Sequence, residues 1–390
     1  MHIDPQDVEV CIGDGLSSDA ASPTSTPIVQ TSLFTFPTLD ALAQGLAAEH
    51  RTHVYTRGQN PTVEVLEQKM ATLERGEACK AFASGMAAVS GVFMGLLEAG
   101  DHVVFFNHVY GPTLQLAAHL RRFGIEHDVV RSTDVADLEA ALRPETRLIW
   151  TESPGTMLFR VIDLEAVAAL GRARGITTAI DNSWATPLLQ KPLTLGFDLV
   201  MHTATKYLGG HSDVVAGAVV TDAERMEQIF YRAFLLNGGI LHPWDAWLLL
   251  RGLRTLPARV REHGAAGLAV ADFLADHPAV ADVFHPALDG EPELVARQMQ
   301  GHTGVFSFRL RDGSFDAVRR VVDGLRLFRI GVSWGGVESL VLSPQRSDDP
   351  AHLAALDGQG VPPGLVRLSV GLEGADVLIA DLDRALGLVE

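Results

Sequence analysis

From Pro61 onward, short apolar runs alternate with segments whose apolar residues recur every three or four positions. HVVFF (102–106), RLIWTE (147–152), ITTAID (176–181), FDLVMH (197–202) and VVAGAVV (214–220) read as strands. Residues 63–73, 114–123 and 164–174 carry helical spacing. Near-continuous apolar strands separated by helices predict an α/β fold with a mostly parallel central sheet and helices on both faces. Such sheets bind ligands at the carboxyl ends of their strands. Polar residues gather at those ends here: Asn107 and Tyr110, Glu152 and Ser153, Asp181 and Asn182, Thr205 and Lys206.

The flanks have a different rhythm. Residues 1–60 are rich in Ser, Thr, Pro and Gly, with ASPTSTP at 21–27, and show one helix-like run at 39–48. They read as an extended N-terminal arm, partly buried through Leu33, Phe34 and Phe36. PWDAWLLLRGLRTL (243–256) reads as one long helix bridging two domains. Beyond it, helix-like stretches at 265–274, 315–324 and 377–388 accompany short strands at 305–310 and 366–370, a smaller α+β domain. The expected organisation is an arm (1–60), a large ligand-binding domain (61–252) and a C-terminal α+β domain (253–390).

Composition narrows the function. The chain has 390 residues, 47% hydrophobic and 20% charged, enough for a large core. A net charge of −17 without a Lys/Arg stripe disfavours nucleic acid as a partner. Cys11 and Cys79 form no CxxC pair or Cys/His cluster, so neither a disulfide framework nor a metal site is expected, and a reducing compartment fits. The start lacks the basic and apolar regions of a signal peptide. The most apolar helical stretch, 86–97, is too short for a membrane span and is broken by Ser90, Gly91 and Gly95. A cytoplasmic protein acting on a small molecule, without a membrane partner, is the expectation.

One lysine is badly located for a surface charge. Lys206 lies in HTATKYLGGHSD (202–213), between two buried-strand signals. Burying an unpartnered ammonium costs several kcal/mol or strips its proton. A neutral, desolvated amine is what forms a Schiff base, and pyridoxal 5'-phosphate (PLP) is the commonest carbonyl for it. PLP also needs phosphate donors, a carboxylate at its pyridine nitrogen and a partner for its ring face. Ser84 and Gly85 open a helix whose N-terminus is a ready anion site, although an ordinary capped helix reads the same way. Asp181 ends a strand 25 residues before Lys206, one strand–helix–strand step, and also reads as a turn residue. Tyr110 is placed to stack on a ring, or is a half-buried loop aromatic. Thr203 and Thr205 flank the lysine as hydroxyl donors, or as β-branched filling. GxGxxG, GxxxxGK[ST], HExxH and GxSxG are absent, so nicotinamide, P-loop, zinc-protease and hydrolase readings lack a motif.

Together the segments YTRGQNPT (55–62), FASGMAA (82–88), VYGPT (109–113), ESPG (152–155), AIDNSWATP (179–187), HTATKYLGGHSD, AWLLLRGLRTL (246–256), SWGGVESL (333–340) and VRLSVGLE (366–373) resemble the Cys/Met-metabolism PLP enzymes in order along nearly the whole chain. That family includes cystathionine β-lyase, cystathionine γ-synthase and methionine γ-lyase. The resemblance implies the fold-type I arrangement of PLP-dependent transferases. It also implies roles. Lys206 would carry PLP and move the substrate proton, Asp181 would pair with the pyridine nitrogen and Tyr110 would stack on the ring. Ser84, Gly85, Met86, Thr203 and Thr205 would hold the phosphate. Tyr55 and Arg57 would reach the phosphate of a neighbouring subunit, so that dimers share active sites and pair into a homotetramer. Arg367 would grip the substrate α-carboxylate beside Ser333 and Trp334. Without the resemblance, Arg57 and Arg367 read as ordinary salt-bridge residues. Trp334, Pro112 and ESPG resemble the β-lyase branch, whereas the Asn-Pro-Thr of YTRGQNPT resembles the γ-enzymes; Pro112 stands where methionine γ-lyases typically have cysteine. The implied reaction is cystathionine β-elimination to homocysteine, pyruvate and ammonia. The alternative is γ-elimination or γ-replacement on an activated homoserine, methionine or a related amino acid. A cofactor-binding protein without catalysis is the reading from another class, and the joint presence of Lys206, Asp181 and Arg367 speaks against it.

Overall fold

The computed structural model describes residues 1–15, 23–289 and 291–389. Seven strands form the larger sheet: β1 (Ala78–Phe82), β2 (His102–Phe106), β3 (Glu126–Val130), β4 (Thr146–Glu152), β5 (Thr177–Asp181), β6 (Leu199–His202) and β7 (Gly217–Thr221). Their spatial order is β1-β7-β6-β5-β4-β2-β3. The five strands from β6 to β3 pair in parallel, while β7 is antiparallel to both β6 and β1. The run expected at 214–220 is therefore the exception to the parallel pattern. Two strands carry no readable apolar run. In β1 the buried Lys80 interrupts it, paired at 2.9 Å with Glu67. The edge strand β3, EHDVV, has no fully buried residue.

Side-chain alternation sorts the parallel strands onto two faces. Val103, Phe105, Leu148, Trp150, Ala179, Leu199 and Met201 pack in one cluster, and Val104, Phe106, Ile149, Ile180 and Val200 pack in another. The first face is covered by Val89, Val92 and Phe93 of helix 85–96, the second by Leu164, Val167 and Ala168 of helix 164–174. Asp181 has the parity of Ala179, so β5 delivers it to the first face.

Helix boundaries follow local chemistry. Helix α1 spans Pro5–Ile12, α2 Leu39–Ala47, α3 Pro61–Glu74, α4 Gly85–Leu96 and α5 Gly111–Leu120. Asn60 caps α3 by accepting from the Thr62 amide, with Pro61 at its first turn, and Arg75 ends it in the left-handed region. The arm is not extended from its start: α1 buries Asp7 and Cys11, and Asp7 pairs with Arg75 at 2.8 Å and Lys191 at 2.7 Å. Eight residues are too few for a helical period to stand out. Leu33 is exposed, and Phe34 and Phe36 are only half-buried. Residues 16–22, within the Ser/Thr/Pro-rich stretch, lie outside the described residues. The expected long helix at 243–256 is two helices, Pro243–Leu253 and Leu256–Asp276, broken ahead of Pro257.

Five further strands, β8 (Val280–Phe284), β9 (Val305–Leu310), β10 (Arg329–Ile330), β11 (Leu340–Leu342) and β12 (Leu365–Ser369), form a second sheet in the order β10-β11-β12-β9-β8. Its central strand β12 is wholly buried and carries Arg367. Among the described residues, no helix is long and apolar enough to cross a membrane.

Candidate active site

Asp181 and Lys206 approach each other because β5 and β6 are neighbours, and Lys206 follows β6 in a tight loop. The Lys206 amide donates to Thr203 O at 3.1 Å, and the Gly210 amide donates to Lys206 O at 2.8 Å. Behind the lysine, Tyr207 is buried, its ring 5.5 Å from Trp334, and its hydroxyl accepts the Gly304 amide at 3.0 Å. The buried Arg259 guanidinium donates to Tyr207 O at 2.8 Å and to Gly252 O at 2.8 Å. The loop is thus anchored on both sides of Lys206.

Lys206 Nζ donates to Ser333 Oγ at 2.6 Å and lies 5.2 Å from the Trp334 ring centroid. Burial, followed by the positive Arg367, lowers its pKa from 10.5 to about 8, with Asp181 opposing. Ser333 adopts φ 78°, unusual for a residue with a side chain. This turn aims its hydroxyl at Lys206 and its carbonyl at Arg367, whose Nη2 donates to it at 2.9 Å. Arg367 is 9% exposed, and its Nε is buried without a partner among the described residues. Burial pulls its pKa down to about 10, and Tyr110 opposes that shift.

Asp181 accepts the Ser183 amide at 2.9 Å and the Ser183 hydroxyl. Ser183 Oγ in turn accepts the Thr203 amide at 2.6 Å, tying the carboxylate to the start of the lysine loop. Beside it in register stands Glu152. Burial raises the pKa of both carboxyls; Glu152 goes well above its usual range, with Asp181 as the second cause. At Asp181 the hydrogen bonds from Ser183 and the charges of His202 and Lys206 oppose that rise. Glu152 Oε1 accepts the Tyr110 amide at 2.6 Å. Glu152 and Ser183 were assigned no role from the sequence. Their signals were present: a second carboxylate at a strand end, and a serine two residues after an aspartate, the spacing of an Asx turn.

At the start of α4, Ser84 Oγ accepts the Ala87 amide at 3.0 Å. By helix geometry the next open donors are the amides of Gly85 and Met86. A Cβ on Gly85 would collide with Thr203 Oγ1, so glycine lets the helix tip reach the lysine loop. Thr205 is turned elsewhere: its hydroxyl bridges both the amide (2.9 Å) and the carbonyl (3.2 Å) of Ala216. The Tyr110 ring, at the start of α5, is half exposed. Tyr55 and Arg57 are exposed in the arm, with the guanidinium 5.6 Å from the Tyr55 ring centre. Among the described residues, neither hydrogen-bonds or ion-pairs with Lys206, Asp181 or the tip of α4.

These groups fit PLP on their own geometry: a desolvated amine, a carboxylate one strand away, a helix tip with glycine at its first position, and a buried guanidinium with an unspent donor. The family model for "Cys/Met metabolism PLP-dependent enzyme" matches residues 10–387. The chain belongs to this family. It is 43% identical over 339 residues to a cystathionine γ-synthase of Mycobacterium tuberculosis, covering 85% of this chain and 86% of that one. It is 41% identical over 366 residues to an L-methionine γ-lyase of Pseudomonas deceptionensis, covering 92% of each. It is 38% identical over 384 residues to a cystathionine β-lyase of Lactococcus lactis, covering 96% of this chain and 97% of that one. The crystal structure of metB from Corynebacterium glutamicum superposes with a TM-score of 0.90 at 36% identity, covering 99% of this chain and all of that one. The protein is therefore a PLP-dependent enzyme of cysteine and methionine metabolism with the fold-type I architecture. The relatives carry three different reaction names.

Proposed function

We propose that this enzyme is a PLP-dependent carbon–sulfur lyase acting on a sulfur amino acid, by β-elimination of cystathionine to homocysteine, pyruvate and ammonia. The observation that carries the reading is the surroundings of Lys206 Nζ: Ser333 at 2.6 Å, the Trp334 ring at 5.2 Å, and Arg367 beyond Ser333. Trp334 beside the amine, within SWGG, and the ESPG segment resemble the β-lyase branch of the family. When bound, PLP supplies an electron sink for negative charge at the substrate α-carbon. Lys206 holds and moves the α-proton, a step typically contributing ~10²–10⁴-fold. Asp181 would pair with the pyridine nitrogen, while Ser183 fixes the direction of its carboxylate. Tyr110 would stack on the ring. Ser84, Gly85, Met86 and Thr203 hold the phosphate; Thr205, engaged with Ala216, supports the loop between them. Arg367 grips the α-carboxylate in a bidentate fork, with Ser333 and Trp334 beside it.

γ-Elimination or γ-replacement is the second reading, favoured by YTRGQNPT and by the γ-synthase and γ-lyase names among the relatives. Supplying cystathionine and identifying the keto acid separates the two. Pyruvate supports β-elimination; 2-oxobutyrate, or turnover that requires an added nucleophile, overturns it. Borohydride reduction and peptide mapping test the site, which fails if a lysine other than Lys206 is labelled.

The exposure of Tyr55 and Arg57, with no bond to their own Lys206 among the described residues, supports dimers that share active sites and pair into a tetramer. Both cysteines are free and buried, which supports a cytoplasmic location. The division at about 60 and 252 is part of the same proposal; the two sheets lie within 78–221 and 280–369.

A further inference from the structure

The last residue of α3, Glu74, is fully buried, and its carboxylate faces two strand ends rather than a cation of its own helix. Glu74 Oε1 accepts Asn182 Nδ2 at 3.0 Å and His202 Nε2 at 2.5 Å. Asn182 follows Asp181 directly, and His202 ends β6 just ahead of the lysine loop. Both have the opposite strand parity to Asp181, so this contact lies behind the site and touches neither Lys206 nor the reacting atoms. Asn182 Nδ2 also donates to Gln190 O at 3.0 Å, which adds a third segment to the knot.

The arrangement is poor for stability alone. Glu74 Oε2, Asn182 Oδ1, His202 Nδ1 and both side-chain heteroatoms of Gln190 are buried without a partner among the described residues. Leaving such a group unsatisfied costs about 1–3 kcal/mol, and apolar packing at the same place would avoid it. What the polar cluster provides is register: one carboxylate oxygen fixes the ends of β5 and β6 relative to each other. Those two ends carry the groups that must face the two ends of one rigid cofactor ring.

We propose that Glu74 is a positioning residue that clamps the carboxyl ends of β5 and β6 through Asn182 and His202, and thereby sets the separation of Asp181 and Lys206. This inference rests on the assignment of those two residues to PLP. The titratable groups whose charge acts on Asp181 are Glu152 from β4, Lys206, and His202 from the far side of β6, so a shift of either strand end changes the field at the carboxylate.

The test compares Glu74→Ala with Glu74→Gln in the full-length, PLP-loaded enzyme. Glu74→Ala is expected to shift the pH midpoint of the bound cofactor's visible absorption and to lower kcat roughly 10- to 100-fold, the scale on which ångström misplacements act, with KM changed little. Glu74→Gln keeps the oxygen that accepts both bonds and is expected to restore the midpoint and most of kcat. A Glu74→Ala enzyme with a lower melting temperature but unmoved midpoint and kcat overturns the proposal, because a merely structural role predicts that pattern. If Glu74→Ala does not fold, Asn182→Ala carries the test: a smaller shift in the same direction supports the clamp, and an unmoved midpoint and kcat overturn it. Peptide mapping of the wild type separates the two levels, since attachment at another lysine overturns the site assignment itself.

Discussion

The burial of Lys206 works against its own proton, and this has a measurable consequence in the cofactor-free protein. Its pKa falls from 10.5 to about 8 on folding, so between those values the unfolded chain binds more protons than the folded one. The destabilising effect of the buried ammonium is complete below about pH 8 and is relieved as the pH rises toward 10.5. Each tenfold change in proton affinity corresponds to about 1.4 kcal/mol. The stability of the apo protein relative to Lys206→Met should therefore be flat below about pH 8 and rise above it, followed by denaturant unfolding. A difference that does not vary with pH would contradict the burial of the amine. Arg367 gives a second prediction at this scale. Its guanidinium can hold Ser333 O through Nη2 and still offer further N–H donors to the proposed substrate carboxylate, and a lysine cannot serve both in that geometry. Arg367→Lys should lower kcat/KM by about 10- to 100-fold, the worth of a charge-assisted hydrogen bond of 1.5–3 kcal/mol, chiefly through KM. Lys206 and Asp181 were legible in the sequence because polar residues at strand ends are conspicuous against apolar runs. Glu152 was equally visible, but its bond to the Tyr110 amide depends on how β4 meets the next loop, and Glu74 looks like any helix-ending acid until two strand ends are seen to converge on it.

Elements whose signal is local were legible to within a few residues: the helix at 164–174 and the strands at 102–106 and 305–310 match the structure. Those whose identity depends on tertiary context were not. β1 hides behind Lys80, which only a buried partner such as Glu67 makes tolerable in a strand. The direction of β7 is a property of the loop that holds Lys206, because the chain turns straight back along β6. The same loop makes the start of α4 sensitive to a single methyl group. Gly85→Ala forces its Cβ into Thr203 Oγ1, so either the helix tip or the loop must move. Overpacking of this kind costs about 1–3 kcal/mol, and a displaced anion site should weaken PLP binding by about 10- to 100-fold. Equilibrium titration of the apo protein with PLP measures it. Unchanged affinity would place the phosphate somewhere other than the α4 tip.

At the scale of the whole molecule, the arm presents a puzzle that one chain cannot solve. Tyr55 and Arg57 are exposed, Leu33 beside them is 54% exposed, and Leu39 at the start of α2 is 84% exposed. Apolar and cationic groups left open in this way suit a surface that another subunit covers. If the arm of one subunit completes the site of its neighbour, defects in the two parts must complement each other across the dimer. Lys206→Ala should be inactive by itself, and Arg57→Ala should bind PLP weakly. A hybrid dimer holds one doubly defective site and one site with both residues intact. Random reassembly of equal amounts makes half the dimers hybrids, so about one quarter of all sites should regain full activity, as expected for an isologous pair. Mixing the two variants under conditions that exchange subunits, then measuring turnover at limiting PLP, checks this directly. Activity no greater than the mean of the separate variants would mean that each arm serves its own chain or none, and the shared-site dimer would have to be abandoned.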